Sequence, residues 1–357
     1  MLEKINHKIA PKEVVKALIH LYHQGKFLQI LEKEKQFASL YQDSIELLNI
    51  FGSTNLALQN FKRAITNFNK AIKLNSNIPT IYYNLGLAYH HIGNMNDAIK
   101  SYKKAIDLKP DYDEAFCNMG MSLEEIGDLE GAIEKYNKVL ANNPKHAGAY
   151  CNLGNVFRSK DNLILAIENY NKAISIKPDY AEAYNNMGIA LTGFIFKKPN
   201  KGLQNTISSL LDKKLHARPT DITAAAISLL KFEPSLQKQL KSIRSVELIH
   251  NPLEIISDLD QLPLLRNLMS VCPIPDLELE KLFKKLRASI LENISSLKKA
   301  SPELLRFQSA LALQCFTNEY VYSQSQNEEK AINVLEKQIK ELLSNNEQPS
   351  PQMILIL

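Results

Sequence analysis

The sequence predicts an all-α protein: an α-solenoid of about five and a half 34-residue repeats, followed by an irregular helical domain. Three observations predict it. One eight-residue stretch occurs four times at a fixed spacing. Within each repeat, apolar residues fall at helical spacing twice, separated by a turn such as Ile92-Gly93-Asn94 or Ile126-Gly127-Asp128. Nothing in the chain reads as a strand-rich sheet.

The recurring stretch is Tyr82-Tyr83-Asn84-Leu85-Gly86-Leu87-Ala88-Tyr89, and its copies start at Phe116, Tyr150 and Tyr184. Gly86, Gly120, Gly154 and Gly188 each lie one repeat length from the next. The second half of each unit keeps step through Ala98, Ala132 and Ala166, then Tyr102, Tyr136 and Tyr170, then Pro110, Pro144 and Pro178. This pattern resembles the tetratricopeptide repeat (TPR), whose signature has the same period and order of residues. Small residues let two antiparallel helices approach, aromatics such as Tyr82 and Tyr102 are expected to fill the space between one pair and the next, and proline ends the second helix. No single pair can bury its apolar face, so stacking is required.

The register places units at 45–78, 79–112, 113–146 and 147–180, with a worn cap at 11–44 and a partial unit at 181–194, after a short segment 1–10. The unit 45–78 has Ser76 where proline is expected, and the cap keeps little beyond Gly25 and the apolar spacing. Residues 195–344 read as the helical domain, and 345–357 as a linker and an apolar tail, taken as the opening of a truncated segment.

The TPR resemblance implies a concave groove lined by the first helix of each unit. There one polar position repeats, as Asn84, Asn118, Asn152 and Asn186. An asparagine amide offers an acceptor and two donors, so it can pair with the backbone of an extended peptide without reading its sequence. The resemblance therefore implies a peptide-binding ladder, like that in the repeat arms of protein O-GlcNAc transferases, with Tyr83 and Arg158 as further groove residues. Gly148 and Glu182 stand where a carboxylate-holding base would help, which argues against recognition of a peptide C-terminus. The pair His90-His91 reads as solvated groove surface, because adjacent helical side chains diverge and no third metal ligand is evident.

Composition narrows the function classes. Residues 1–194 carry 22 Lys+Arg against 20 Asp+Glu, and residues 195–357 carry 21 against 18. Neither half is a basic footprint, so nucleic acid is not an expected partner. No apolar run reaches membrane-spanning length, and no secretory signal is expected before the first repeat. Cys117, Cys151, Cys272 and Cys315 show no metal-ligand or CxxC spacing, so they read as small buried side chains in a reducing cytoplasm. No metal or cofactor is expected.

In the second half the period is lost. Thr220 is expected to N-cap a helix, as is Asp276, with the stripe Leu279, Leu282, Phe283, Leu286, Ile290 and Ile294 behind it. Ser301-Pro302-Glu303 reads as a further helix start, and Ile332, Leu335, Ile339 and Leu342 as the core-facing stripe of the last helix. Gly202 is the last glycine of the chain, which leaves no nucleotide-binding turn beyond it, and no catalytic motif occurs. The stretches 262–287 and 311–322 resemble the helical segment of bacterial TPR–methyltransferase fusion proteins, without the methyltransferase domain. Cys272, Asn318, Glu319 and Tyr320 there read as buried, hydrogen-bonded structural groups. The expected function is a protein-interaction scaffold. The alternatives are the substrate-recognition part of a truncated or split S-adenosylmethionine-dependent methyltransferase, whose partner would be a separate catalytic domain or subunit, and a regulatory arm similar to that of O-GlcNAc transferases.

Overall fold

The computed structural model describes residues 9–37, 39–213, 218–245, 251–292, 302–317, 326–345 and 347–349. Contacts divide the chain into two units, residues 1–176 and 177–357. The first holds five helix pairs: α1 (Lys12–His23) and α2 (Phe27–Phe37), α3 (Ile45–Ala57) and α4 (Phe61–Leu74), α5 (Pro79–His91) and α6 (Met95–Leu108), α7 (Asp113–Glu125) and α8 (Leu129–Asn142), α9 (Ala147–Ser159) and α10 (Leu163–Ile176). Odd helices are the A helices of the repeats and even ones the B helices.

The turn from A to B repeats its backbone as well as its sequence. Gly25, Gln59, Gly93, Gly127 and Asp161 all have positive φ, between 57° and 83°, and each follows the last by one repeat length. Asn94, Asp128 and Asn162 then follow this residue, and their side-chain oxygens accept from the backbone N–H three residues on, at 3.3, 2.9 and 3.2 Å. A side chain in this left-handed region costs about 1–2 kcal/mol, partly offset because glycine is floppier when unfolded. Gln59→Gly is therefore expected to stabilise the array by roughly 0.5–1 kcal/mol, and Asp161→Gly by less, since aspartate tolerates the conformation. Chemical denaturation of the two variants checks the ranking.

The B helices end at Leu74, Leu108, Asn142 and Ile176, so the stop is periodic even where proline is missing. Beside Ser76, Asn75 takes an extended backbone and its side chain accepts from the N–H of Asn77 at 2.9 Å. This local turn ends α4 in place of proline.

The core is made of rings resting on glycines. Phe68, Tyr102, Tyr136 and Tyr170 are fully buried. A Cβ added to Gly52, Gly86, Gly120 or Gly154 would meet the ring of the same unit at 2.4–2.6 Å. The expectation that Tyr102 and its equivalents lie between pairs is thus corrected: each ring first fills the notch within its own pair. Its far side then joins the next unit, as Tyr102 does with Met119 and Leu123.

The second unit comprises α11 (Ala181–Leu191), α12 (Lys201–Lys213), α13 (Pro219–Leu230), α14 (Pro234–Ser245), α15 (Pro252–Asp260), α16 (Pro263–Val271), α17 (Leu277–Glu292), α18 (Pro302–Thr317) and α19 (Gln326–Ser344). By register α11 is the A helix of the partial repeat, and it packs on α13. Thr220 is not a cap. Pro219 takes the first helical position, where its missing N–H costs nothing, and Arg218 precedes it. Asp276 does cap α17, accepting from the N–H groups of Glu278 and Leu279 at 3.2 and 3.1 Å. Leu279, Leu282, Phe283, Leu286 and Ile290 are buried as the stripe predicts, while Ile294 lies outside the described residues. On α19 only Leu335 of the expected stripe is fully buried, and that helix packs on α17.

Gln314 pins the turn after α16, donating to the carbonyls of Met269 and Cys272 at 2.7 Å and accepting from the N–H of Ile274 at 2.9 Å. Cys272 is buried with its thiol 3.3 Å from the Thr223 hydroxyl, the structural role expected of it. Ser301, Asn318, Glu319, Tyr320, the side chain of Cys315 and the tail 350–357 lie outside the described residues. Among the described residues no helix is long and apolar enough to cross a membrane, and no three His, Cys, Asp or Glu side chains gather as metal ligands.

Candidate functional site

In the first unit successive A helices touch one another, α3 to α5, α5 to α7 and α7 to α9, whereas successive B helices stay further apart. The stack therefore curves with the A helices inside. The repeated asparagines are on these helices. Asn84, Asn118 and Asn152 are half-buried, each one repeat from the next. Asn186 lies in the second unit, on α11, where it too is half-buried.

Two of the amides are held by the neighbouring unit. The Asn84 amide donates to the Ser53 hydroxyl at 3.4 Å, and the Asn118 amide donates to the Tyr83 hydroxyl at 3.0 Å. Each bond uses one of two N–H protons and fixes the plane of the amide. The carbonyl oxygen and the second N–H remain for a ligand. Asn152 makes no side-chain hydrogen bond among the described residues. Tyr83 is braced by ring contacts to Tyr102 and Tyr112 at 6.1 and 5.0 Å. Burial raises its hydroxyl pKa, opposed by the bond from Asn118.

His90 corrects the expectation of a merely solvated pair. One ring nitrogen lies 2.9 Å from the Ser122 hydroxyl and the other 3.3 Å from a Glu125 carboxylate oxygen, so the ring bridges two units. His91 is exposed and stacks on Phe61 of the preceding unit, centroids 4.9 Å apart. The physical reason is the offset between units, which sets the last turn of one A helix beside that of the next.

Beneath the groove run the hydroxyls of the buried tyrosines. Tyr170 donates to the Asn155 side-chain oxygen at 2.8 Å and lies beside the exposed Arg158 guanidinium, which partly offsets the burial that pushes its pKa up to about 12. Tyr102 and Tyr136 have no partner for their hydroxyls among the described residues. Burial drives both pKa values far up, with Glu124 and Cys117 adding to the effect on Tyr136. Where Tyr170 finds Asn155, the preceding repeat has the apolar Met121 at the equivalent position, packed against the cluster that holds Tyr136. Tyr136→Phe is therefore expected to stabilise the array by about 1 kcal/mol, and Tyr170→Phe to destabilise it by a similar amount. Opposite shifts in thermal midpoint check this, and phenylalanine already serves at Phe68.

The electrostatics of the groove are mixed. Glu124 sits between burial and Glu125, which raise its pKa, and Arg158, which opposes them. Cys117 faces the groove half-buried, its thiol pushed up to about 12 by burial and by Asp113 and Glu114, so it stays protonated and is a poor nucleophile. This arrangement suits hydrogen bonding and apolar contact. The sequence reading missed the roles of Ser122, Asn155 and the tyrosine hydroxyls, although their whole-repeat offsets from Ala88, Met121 and one another carry the signal.

Models of the TPR family match residues 52–93, 122–161 and 154–192, and a further tetratricopeptide-repeat model matches 79–112. The crystal structure of MamA is 32% identical, covering 46% of this chain and 94% of that one with a TM-score of 0.41. The chain carries tetratricopeptide repeats. Two TPR structures are also similar. YrrB, described as a TPR protein with an unusual peptide-binding site, is 24% identical over 47% of this chain and 87% of that one, with a TM-score of 0.43. TTC0263, a thermophilic TPR protein of Thermus thermophilus, is 19% identical over 51% of this chain and 99% of that one, with a TM-score of 0.42. No curated protein matches the chain.

Proposed function

We propose that this TPR protein is an interaction scaffold whose A-helix groove binds an extended peptide segment of a partner protein. The observation that carries the reading is the asparagine ladder. Asn84 and Asn118 have one N–H each committed to the neighbouring unit, so their remaining donors and acceptors are held in fixed directions before any ligand arrives. Asn152 extends the same row with its whole amide uncommitted among the described residues. Tyr83 and Arg158 flank the row with an aromatic face and a cation, which suit apolar and acidic side chains of the segment.

The methyltransferase and O-GlcNAc-transferase-like readings rest on resemblance of the sequence alone, and none of the matched families concerns either chemistry. Selection of a displayed random-peptide library on the purified chain, followed by hydrogen–deuterium exchange with the best peptide, tests the proposal. Slowed exchange along α5, α7 and α9 is expected. Protection confined to the B helices or to the second unit overturns it.

A further inference from the structure

The cap 11–44 differs from the other units at two positions that decide how it meets its neighbour. Glu34 stands one repeat before Phe68, at the position where the other units bury Phe68, Tyr102, Tyr136 and Tyr170. Leu18 stands where they have glycine, and it is buried in a cluster with Ile30, Leu47, Ile50 and Phe51. In the next unit Asn55 replaces the bulky apolar residue seen as Tyr89, Leu123 and Phe157. Two large side chains are therefore lost from one inter-unit contact, and a cavity of about 360 Å³ lies beside Glu34 there, with Asn55 behind its wall.

Its walls divide by chemistry. Tyr41, Leu47, Leu48, Phe51 and Leu74 supply an apolar floor. The half-buried Glu34 carboxylate is held at the wall, accepting from Asn67 at 2.8 Å and from the fully buried Asn55 at 3.3 Å. Each oxygen keeps a further acceptor site, and Glu34 has no ion-pair partner among the described residues. Lys70, Lys73 and Gln42 line the same cavity and are exposed, and a second carboxylate, that of the half-buried Asp43, lines it beside Glu34, so the lysines place positive charge at the mouth and the carboxylates negative charge further in. The groove positions of this unit are Asn49 and Ile50, and neither lines the cavity.

We infer that this cavity is a second binding site, separate from the groove, for a zwitterion with an apolar side chain: a free apolar amino acid or a dipeptide. The ammonium group meets Glu34, the side chain lies on the leucine and phenylalanine floor, and the carboxylate faces Lys70 and Lys73. A carboxylate fixed by two amides is a preorganised acceptor for a charged donor, the stronger class of hydrogen bond. The cavity falls within the size range of small-molecule sites.

Calorimetric titration of the full chain with L-leucine, L-leucyl-L-leucine, L-leucinamide and N-acetyl-L-leucine tests the inference. The first two distinguish the free amino acid from the dipeptide. The better zwitterion is expected to bind tightest, leucinamide more weakly, and N-acetyl-leucine, which lacks the ammonium group, at least about tenfold more weakly again. Glu34→Gln is expected to remove that preference, and Lys70→Ala with Lys73→Ala to weaken the zwitterion without affecting leucinamide. Because the variants alter an inter-unit contact, amide shifts of Leu48 and Asn67 in the unaltered chain provide an independent readout. No binding by any of the four, equal binding of N-acetyl-leucine, or binding that leaves those shifts unmoved overturns the inference.

Discussion

Truncating Tyr136 to alanine is expected to cost about 3–5 kcal/mol, the range for removing a large aromatic from a core. The ring is fully buried against Gly120 and belongs to a cluster that joins three units through Tyr102, Met119 and Leu153. Loss of the unpaired hydroxyl offsets only about 1 kcal/mol of that. A domain stable by about 5–15 kcal/mol would lose a large share of its stability, and unfolding would shift to much lower denaturant. Gly120→Ala alone is expected to cost about 1–3 kcal/mol, because the new Cβ would lie 2.6 Å from a ring with no room to retreat. The two changes should not add. With the ring gone the alanine methyl enters empty space, so the double variant should be clearly more stable than the sum of the two losses implies. Additive losses would mean that ring and glycine do not form one packing unit.

Most of the first unit was legible because its features repeat. Gly93 and Gly127 marked the turn between the two helices, and Pro110, Pro144 and Pro178 marked the helix ends. The left-handed turn at Gln59 and Asp161, and the helix stop beside Ser76, were hidden because the residue types there do not advertise them. Context imposes them, through neighbours that do carry the signal. Thr220 was misread as a cap because two start signals adjoin, and the proline's fixed φ wins the first helical position.

The groove was legible as a row of asparagines but not as a set of tethered amides. Whether Asn118 reaches Tyr83 depends on the offset between units, which periodicity alone does not supply. The cavity beside Glu34 was the least legible feature. It lies beside Glu34, and neither Glu34 nor the Asn55 that donates to its carboxylate looks unusual until the two are placed across one contact.

Replacing Asn118 and Asn152 together by alanine is expected to weaken a bound peptide by about tenfold to a hundredfold, the loss of two hydrogen bonds worth roughly 0.5–1.5 kcal/mol each. The two residues separate binding from folding. Asn118→Ala also breaks the bond to Tyr83, so part of its effect is on the array itself. Asn152 makes no side-chain hydrogen bond among the described residues, so Asn152→Ala should leave the thermal midpoint unchanged while still reducing affinity. Calorimetry of a library-selected peptide against the unaltered chain and the Asn118→Ala/Asn152→Ala chain is the most direct test that the A-helix groove is the binding surface. Affinity at least about tenfold weaker, with the double variant still folded, is the predicted result. Equal affinity for both chains would contradict it and place the site elsewhere.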